Sequence, residues 1–196
     1  MTSRRIAGVV LAAGASQRMG RPKQLLRWRG QSLIAHSAQA ALGAGLNPVV
    51  VVVGSHAGEA AAELQTLAVT IVENPACPEG MSTSMRAGLS ALPADADAAI
   101  LLPVDQPRLT SQHLWAMSAA YQASGKPIVV STFHGQRSSP TLFDRTLFGQ
   151  LLRVTGDVGG RPVVDANPDL VETVEAADER TLFDVDTDED WQRMTN

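Results

Sequence analysis

Three short apolar runs, residues 6–11, 48–53 and 98–102, constrain this chain more than anything else in it. Each is rich in Val, Ile or Leu and is closed by Gly or Pro, as strands buried on both faces are. Helical patterns follow at 32–42, 58–67 and 111–123, and a weaker strand at 69–72 precedes a further helical pattern at 81–92. Strands alternating with helices imply βαβ units, right-handed crossovers and a mainly parallel sheet. The expected class is α/β, with helices on both faces of that sheet.

The remainder is less regular. A strand at 127–132 leads into a stretch where Gly135, Ser138, Ser139 and Pro140 interrupt any period, as in loops that carry recognition. A helical piece near 144–152, a turn at Gly156-Asp157, a strand near 170–174 and an acidic segment before a short closing helix complete the chain. With 196 residues and no repeat or linker, one domain is expected. The hydrophobic share of 44% and charged share of 18% are globular, and an aromatic share of 4% makes the core aliphatic. A formal charge of -4 without a basic run argues against nucleic acid as a partner. The single cysteine, Cys77, rules out an intramolecular disulfide and fits a reducing, cytoplasmic setting. No signal-peptide pattern and no membrane-spanning stretch is present.

In an open parallel sheet, ligands sit outside the carboxyl ends of the strands where strand order reverses. The segment after the first strand reads Leu-Ala-Ala-Gly-Ala-Ser-Gln-Arg-Met-Gly-Arg-Pro-Lys over residues 11–23. Gly14 and Gly20 allow close backbone approach, successive N–H groups can cradle anionic oxygens, and Arg18 and Lys23 add positive charge. It is not a Walker A loop, because Arg21 and Pro22 separate Gly20 from the lysine, and it lacks the Gly-x-Gly-x-x-Gly of a dinucleotide site. An ordinary strand-to-helix connection with solvated charges accounts for the same residues equally well.

Residues 98–107 read Ala-Ala-Ile-Leu-Leu-Pro-Val-Asp-Gln-Pro, an apolar strand ending in a carboxylate between two prolines. A hard divalent cation bound with a triphosphate takes one or two carboxylates plus phosphate oxygens, and Asp105 sits where a strand end would present it. Taken alone, the segment fits a turn or helix N-cap aspartate better. The acidic run over 184–190 also has two readings. Thr187 or Asp186 caps a helix with an acid-rich first turn, or the segment is a strand on which Asp184 and Asp186 share one face.

Residues 74–89 are a loop entering a helix, with hydroxyls and N–H groups at its start suited to capping by Ser82 or to holding an anion or a base. Arg137 can hold a phosphate, while Asp157 and Arg161 fit a surface ion pair. Cys77 has no activating neighbour and reads as structural. The four histidines show neither metal-ligand spacing nor a nucleophile elbow. Trp28 and Trp115 read as packing residues, and Trp191 as the anchor of the final helix.

Collinear motifs from Leu11 to Asp190 resemble the MobA-like nucleotidyltransferase family, and most closely its molybdenum cofactor cytidylyltransferase (MocA) branch. Leu-Ala-Ala-Gly-x-Ser-x-Arg-Met-Gly-x-x-Lys is similar to the family's triphosphate loop, and Pro-x-Asp-x-Pro to its metal-binding aspartate motif. The acidic run is similar to an Asp-Ile-Asp-Thr-Pro-Glu-Asp ending, with Asp188 in place of proline. Gly80, Ser82 and Ser84 fall in a Gly-Met-Ser-x-Ser stretch, and Arg137 in a Gly-x-Arg-Gly-x-Pro-x-Leu-Phe segment whose glycine and its neighbour are replaced by Ser138 and Ser139. Asp157 and Arg161 fall in a Gly-Asp-x-Gly-x-Arg turn.

The resemblance implies a Rossmann-like three-layer sandwich of the nucleotide-diphospho-sugar transferase type, with a nucleotide part at about 1–110 and an acceptor part at about 111–196. It implies base and ribose contacts for Leu11, Ala12 and Ala13, phosphate contacts for Gly14 and Arg18, and charge stabilisation by Lys23. Gly80, Ser82 and Ser84 would lie beside the nucleotide, Asp105 and Asp186 would bind Mg²⁺, and Arg137, Asp157 and Arg161 would meet the acceptor. Ala13 stands where the guanylyl branch usually has a second glycine, which leans the base toward cytosine. The implied reaction passes CMP from CTP to the phosphate of molybdopterin or its metal-loaded form and releases pyrophosphate, with a molybdoenzyme receiving the product and no membrane partner. A guanylyltransferase, a sugar-phosphate nucleotidyltransferase, a glycosyltransferase and a non-catalytic molybdenum cofactor chaperone are the alternatives.

Overall fold

In chain order the strands are β1 (Ile6–Ala12), β2 (Arg27–Trp28), β3 (Gln31–Ser32), β4 (Val49–Val53), β5 (Thr70–Glu73), β6 (Ala98–Pro103), β7 (Ile128–Phe133), β8 (Gln136–Asp144) and β9 (Val171–Glu175). The helices are α1 (Leu33–Gly43), α2 (Ala57–Leu64), α3 (Met81–Ser90), α4 (Ser111–Ser124), α5 (Phe148–Leu151), α6 (Arg161–Ala166) and α7 (Asp188–Thr195). The structure is a computed structural model describing residues 4–14, 16 and 18–195. Ala15 and Gln17 of the glycine loop, and Met1, Thr2 and Ser3 of the basic N-terminus, lie outside the described residues.

The three apolar runs form the middle of a seven-stranded sheet of order β5-β4-β1-β6-β8-β7-β9. β8 runs antiparallel to both its neighbours, and all other pairs are parallel. From β1 the chain winds outward through β4 to β5, then crosses back over β1 to β6. Strand order therefore reverses between β1 and β6, where Leu11 stands level with Pro103. The glycine loop and Asp105 leave the sheet side by side.

Alternation along the strands divides the core into two layers. Ile6, Val10 and Ala12 of β1 and Val49, Val51 and Val53 of β4 pack on Leu33, Leu64, Leu114 and Met117 of α1, α2 and α4. Ala7, Val9, Val50 and Val52 face the other way, onto Met85 and Leu89 of α3, Leu151 of α5 and Val163 of α6. Each fully enclosed Val or Leu contributes about 1.5–3 kcal/mol, so aliphatic residues carry most of the burial in the three-layer sandwich, with Tyr121 and Phe143 enclosed among them. α1 and α4 start where expected because Ser32 Oγ and Thr110 Oγ1 accept from the amides of Ala35 and His113.

Four elements depart from expectation. The irregular stretch after residue 135 is the long strand β8, joined to β7 by a tight turn in which His134 and Gly135 have φ of 47° and 73°. The ladder jumps from Val130↔Thr141 to Ser131↔Ser138, bypassing Ser139 and Pro140, and a proline has no N–H to offer there. The two-residue strands β2 and β3 and the short helix α6 have no clear sequence pattern. Trp115, expected to pack, is 62% exposed on α4. No helix among the described residues is long and apolar enough to cross a membrane.

Two consequences are testable. A Cβ at Gly88 of α3 would stand 2.3 Å from Val9 Cγ1 and 3.0 Å from Val52 Cγ2, so Gly88→Ala forces the helix off the sheet. Urea unfolding should register a loss of about 1–3 kcal/mol. The second consequence concerns His113, which is buried, with Nε2 2.8 Å from Ser131 Oγ. Ser131 spends its own proton on Pro140 O, so Nε2 of the imidazole donates; burial disfavours the charged ring and lowers its pKa from the ordinary 6.5. A depressed histidine stabilises fully above the unfolded value and loses that contribution as pH falls through the folded one. Between pH 7.5 and 5, as order-of-magnitude bounds, His113→Gln should lose less of its own stability than the parent protein loses.

Candidate active site

A cleft of about 1160 Å³ opens over the carboxyl ends of β1 and β6, floored by Leu11, Ala13, Gly14, Pro103 and Asp105. Lys23 stands at its centre. The Lys23 Nζ donates to Asp105 Oδ2 at 2.5 Å and to Asp186 Oδ1 at 3.1 Å, joining the end of β6 to the segment before α7. Burial acts to lower the Lys23 pKa, but the two carboxylates outweigh it and hold the ammonium above its ordinary 10.5. The loop is shaped for this. Ser16, at φ 51°, accepts the Lys23 amide on its Oγ at 3.0 Å and the Met19 amide on its carbonyl at 3.0 Å.

Two fastenings hold the acidic segment over the loop. Val185, fully buried, packs with Met19 and Met194, while Trp28 and Trp191 close over them. Arg18 pairs with Asp186 at 2.9 Å and Arg21 with Asp188 at 2.6 Å. The backbone N–H of Val185 donates to Asp105 O at 2.9 Å. Residues 183–186 are thus an extended coil with one bond to the end of β6, where a strand was expected, yet the alternation holds: Asp184 and Asp186 both line the cleft and Val185 points inward. Both readings of the acidic run apply, to different residues. Thr187 N donates to Asp190 Oδ2 and Asp190 N to Thr187 Oγ1, a reciprocal cap on α7, while Asp186 turns into the site.

The donor set suits a divalent cation that brings ligands of its own. Asp105 Oδ1 is buried without a hydrogen-bond partner, although its sister oxygen takes Lys23. Such an atom is costly unless something meets it. Asp184, accepting from Gln106, is pushed up to about 6 by desolvation and by the charges of Asp105 and Asp186. Among the described residues, no group of three or more His, Cys, Asp or Glu side chains is placed to hold an ion unaided. A cation coordinated partly by phosphate oxygens meets both facts.

The start of α3 is already occupied. Met81 N donates to Asp157 Oδ1 at 3.1 Å and Ser82 N to Gly156 O at 3.2 Å, so these amides are not open to an anion as the sequence suggested. Gly80, at φ 117°, is needed because a Cβ would come within 2.6 Å of the Gly156 backbone. Asp157 is therefore first a helix cap. Gly80 and Ser84 line the cleft; Ser82 is buried outside the lining with an unpartnered hydroxyl, and the Ala12 side chain is likewise in the core. Cys77 also lines the cleft.

The far wall carries Arg137 of β8 and Arg161 of α6 over an apolar floor that includes Val130, Phe143 and Val164. Both arginines reach Asp165 at 3.6 Å. Ser16, Gln106 and Asp165 have no place in the expected site. A serine inside the loop motif and a glutamine next to Asp105 were the available signals.

A cation-rich loop at the switch point of a mainly parallel sheet covered on both faces meets a strand-end carboxylate, an arrangement suited to a nucleotidyltransferase. The MobA-like NTP transferase domain matches residues 8–172, and the chain belongs to that family. It is 34% identical to nicotine blue oxidoreductase of Paenarthrobacter nicotinovorans over 96% of both chains. It is 30% identical to purine catabolism protein PucB of Bacillus subtilis over 99% of this chain and 98% of the relative. The crystal structure of Rv0371c from Mycobacterium tuberculosis, 29% identical and covering 99% of each chain, superposes with a TM-score of 0.86. The structure of Rv0371c in complex with manganese superposes at 0.80.

Removing the central ammonium leaves two carboxylates facing one another. For Lys23→Ala the expected loss is about 1–3 kcal/mol in urea unfolding, below that of a fully buried pair because Asp186 is partly exposed. Added MnCl₂ should raise the variant's melting temperature more than the parent's, because a cation then replaces the one removed.

Proposed function

We propose that the chain transfers CMP from CTP to the terminal phosphate of molybdopterin or its metal-loaded form in the cytoplasm. An acceptor phosphate oxygen attacks the α-phosphorus in line, the bond from that phosphorus to the α–β bridging oxygen breaks, and pyrophosphate leaves with the electron pair. The observation that carries this reading is Lys23, held between Asp105 and Asp186 beside an unpartnered Asp105 oxygen.

In this reading the nucleotide lies along Leu11, Ala13 and Gly14, with Gly80 and Ser84 opposite, and Ala13 favours cytosine. Lys23 and Arg18 exchange their carboxylate partners for phosphate oxygens and stabilise charge on the departing pyrophosphate. Asp105 and Asp186, released from the two cations, hold Mg²⁺, which when bound neutralises phosphate charge. No protein nucleophile is required. Arg137 and Arg161 take the acceptor's phosphate on the far wall, and residues up to about 110 serve the nucleotide while 111–196 serve the acceptor.

A second reading comes from the relative named nicotine blue oxidoreductase: a redox enzyme in the same cleft, taking a hydride donor in place of a triphosphate. One experiment separates them. Pyrophosphate release is measured with each of the four NTPs, with and without purified molybdopterin and Mg²⁺, alongside oxidation of reduced nicotinamide dinucleotides. Release that is selective for CTP and depends on pterin and metal is expected, and Lys23→Ala should lower it by about 10²–10³-fold. Full turnover by Lys23→Ala, or hydride-donor oxidation without pyrophosphate release, would sink the proposal.

A further inference from the structure

A buried glutamine ties the two acidic segments of the site together. Gln106 follows Asp105 in the chain, is 1% exposed and is absent from the cleft lining. Its Nε2 lies 3.1 Å from Ser139 O, 3.2 Å from Leu182 O and 3.0 Å from Asp184 Oδ1, oxygens contributed by segments far apart in sequence. The amide nitrogen has two hydrogens, so three acceptors share them. Turning the amide over would set Oε1 against all three, which fixes its orientation. In that orientation Oε1 is buried without a partner.

An unpaired buried oxygen opposes folding, and a methionine of similar shape would fill the same space without one. What the amide provides is position. It fastens the Leu182 carbonyl and the carboxylate of Asp184, two residues from Asp186, to the strand end that carries Asp105. Beside it the Val185 N–H bond to Asp105 O draws the same two segments together. On its other side the amide reaches Ser139, in the bulge of β8 between Arg137 and Thr141, which both line the cleft.

We infer that Gln106 is a positioning residue of the metal site: it holds the segment bearing Asp186 where one cation meets both Asp186 and Asp105, and touches neither cation nor nucleotide. The inference rests on the reading of the chain as a metal-dependent transferase. It adds a residue whose effect should fall on metal affinity and leave nucleotide contacts alone.

The test uses Gln106→Met, which keeps the shape and removes both donors, with Leu64→Ala in α2, a buried residue absent from the cleft lining, as a destabilised control. Mn²⁺ binding is followed by electron paramagnetic resonance with a non-hydrolysable CTP analogue present, and analogue affinity is measured separately without metal. Hydrogen exchange of residues 182–187 is followed in the metal-free protein. Gln106→Met should weaken Mn²⁺ binding about tenfold or more, leave metal-free analogue affinity unchanged and speed exchange at Val185; Leu64→Ala should do none of these locally. Unchanged Mn²⁺ affinity in Gln106→Met, or an equal loss in Leu64→Ala, would overturn the inference. Should the parent protein bind no Mn²⁺ with the analogue, the transferase reading fails, and unaltered Val185 exchange in Gln106→Met would then remove the positioning role as well.

Discussion

The contact of one ammonium with two carboxylates organises this molecule's functional end. Lys23 comes from the loop after the first strand, Asp105 from the end of the sixth, and Asp186 from the segment before the last helix. None of the three could be held in the cleft alone at acceptable electrostatic cost. Burial acts to lower the pKa of the lysine, and only the neighbouring carboxylates reverse that effect. The apolar clasp of Met19, Val185 and Met194 supplies the framework that keeps them within reach of each other.

That arrangement also makes the ligand's task one of exchange. In the proposed function, a triphosphate with its cation would offer the lysine new anions and the aspartates a new cation at the same time, so that few charges would be left unpaired. Either half arriving alone would break pairs without replacing them. If the proposed function holds, metal and nucleotide would be thermodynamically linked through Lys23, each improving the other's affinity by the same factor.

The sequence carried the central sheet well, because buried parallel strands announce themselves as continuous aliphatic runs bounded by turns. It carried β8 poorly. Ser138, Ser139 and Pro140 give no alternation, and the strand is held by pairing with neighbours on both sides rather than by its own propensity. Lys23, Arg18, Asp105 and Asp186 were legible as types in a pattern, and they meet in one cleft. Asp157 and the α3 start were less so, since whether an amide is open to a ligand depends on what a segment some seventy residues later does with its carboxylate. Ala12 and Ser82 illustrate a different limit: a motif names contiguous residues, but strand alternation and helix rotation send only some of them to the surface. Gln106 was in plain view next to Asp105, yet its three acceptors come from residues that only the folded chain brings near.

The position of Asp186 in the chain has a consequence for biogenesis. Every strand of the sheet precedes it in order of synthesis. A nascent chain can therefore pair its strands and bury most of both aliphatic layers before the third partner of Lys23 and Asp105, and the clasp around Val185 and Met194, have been made. The scaffold and the charge cluster mature at different moments, and the cluster closes only when the final acidic segment folds down across the loop that began it.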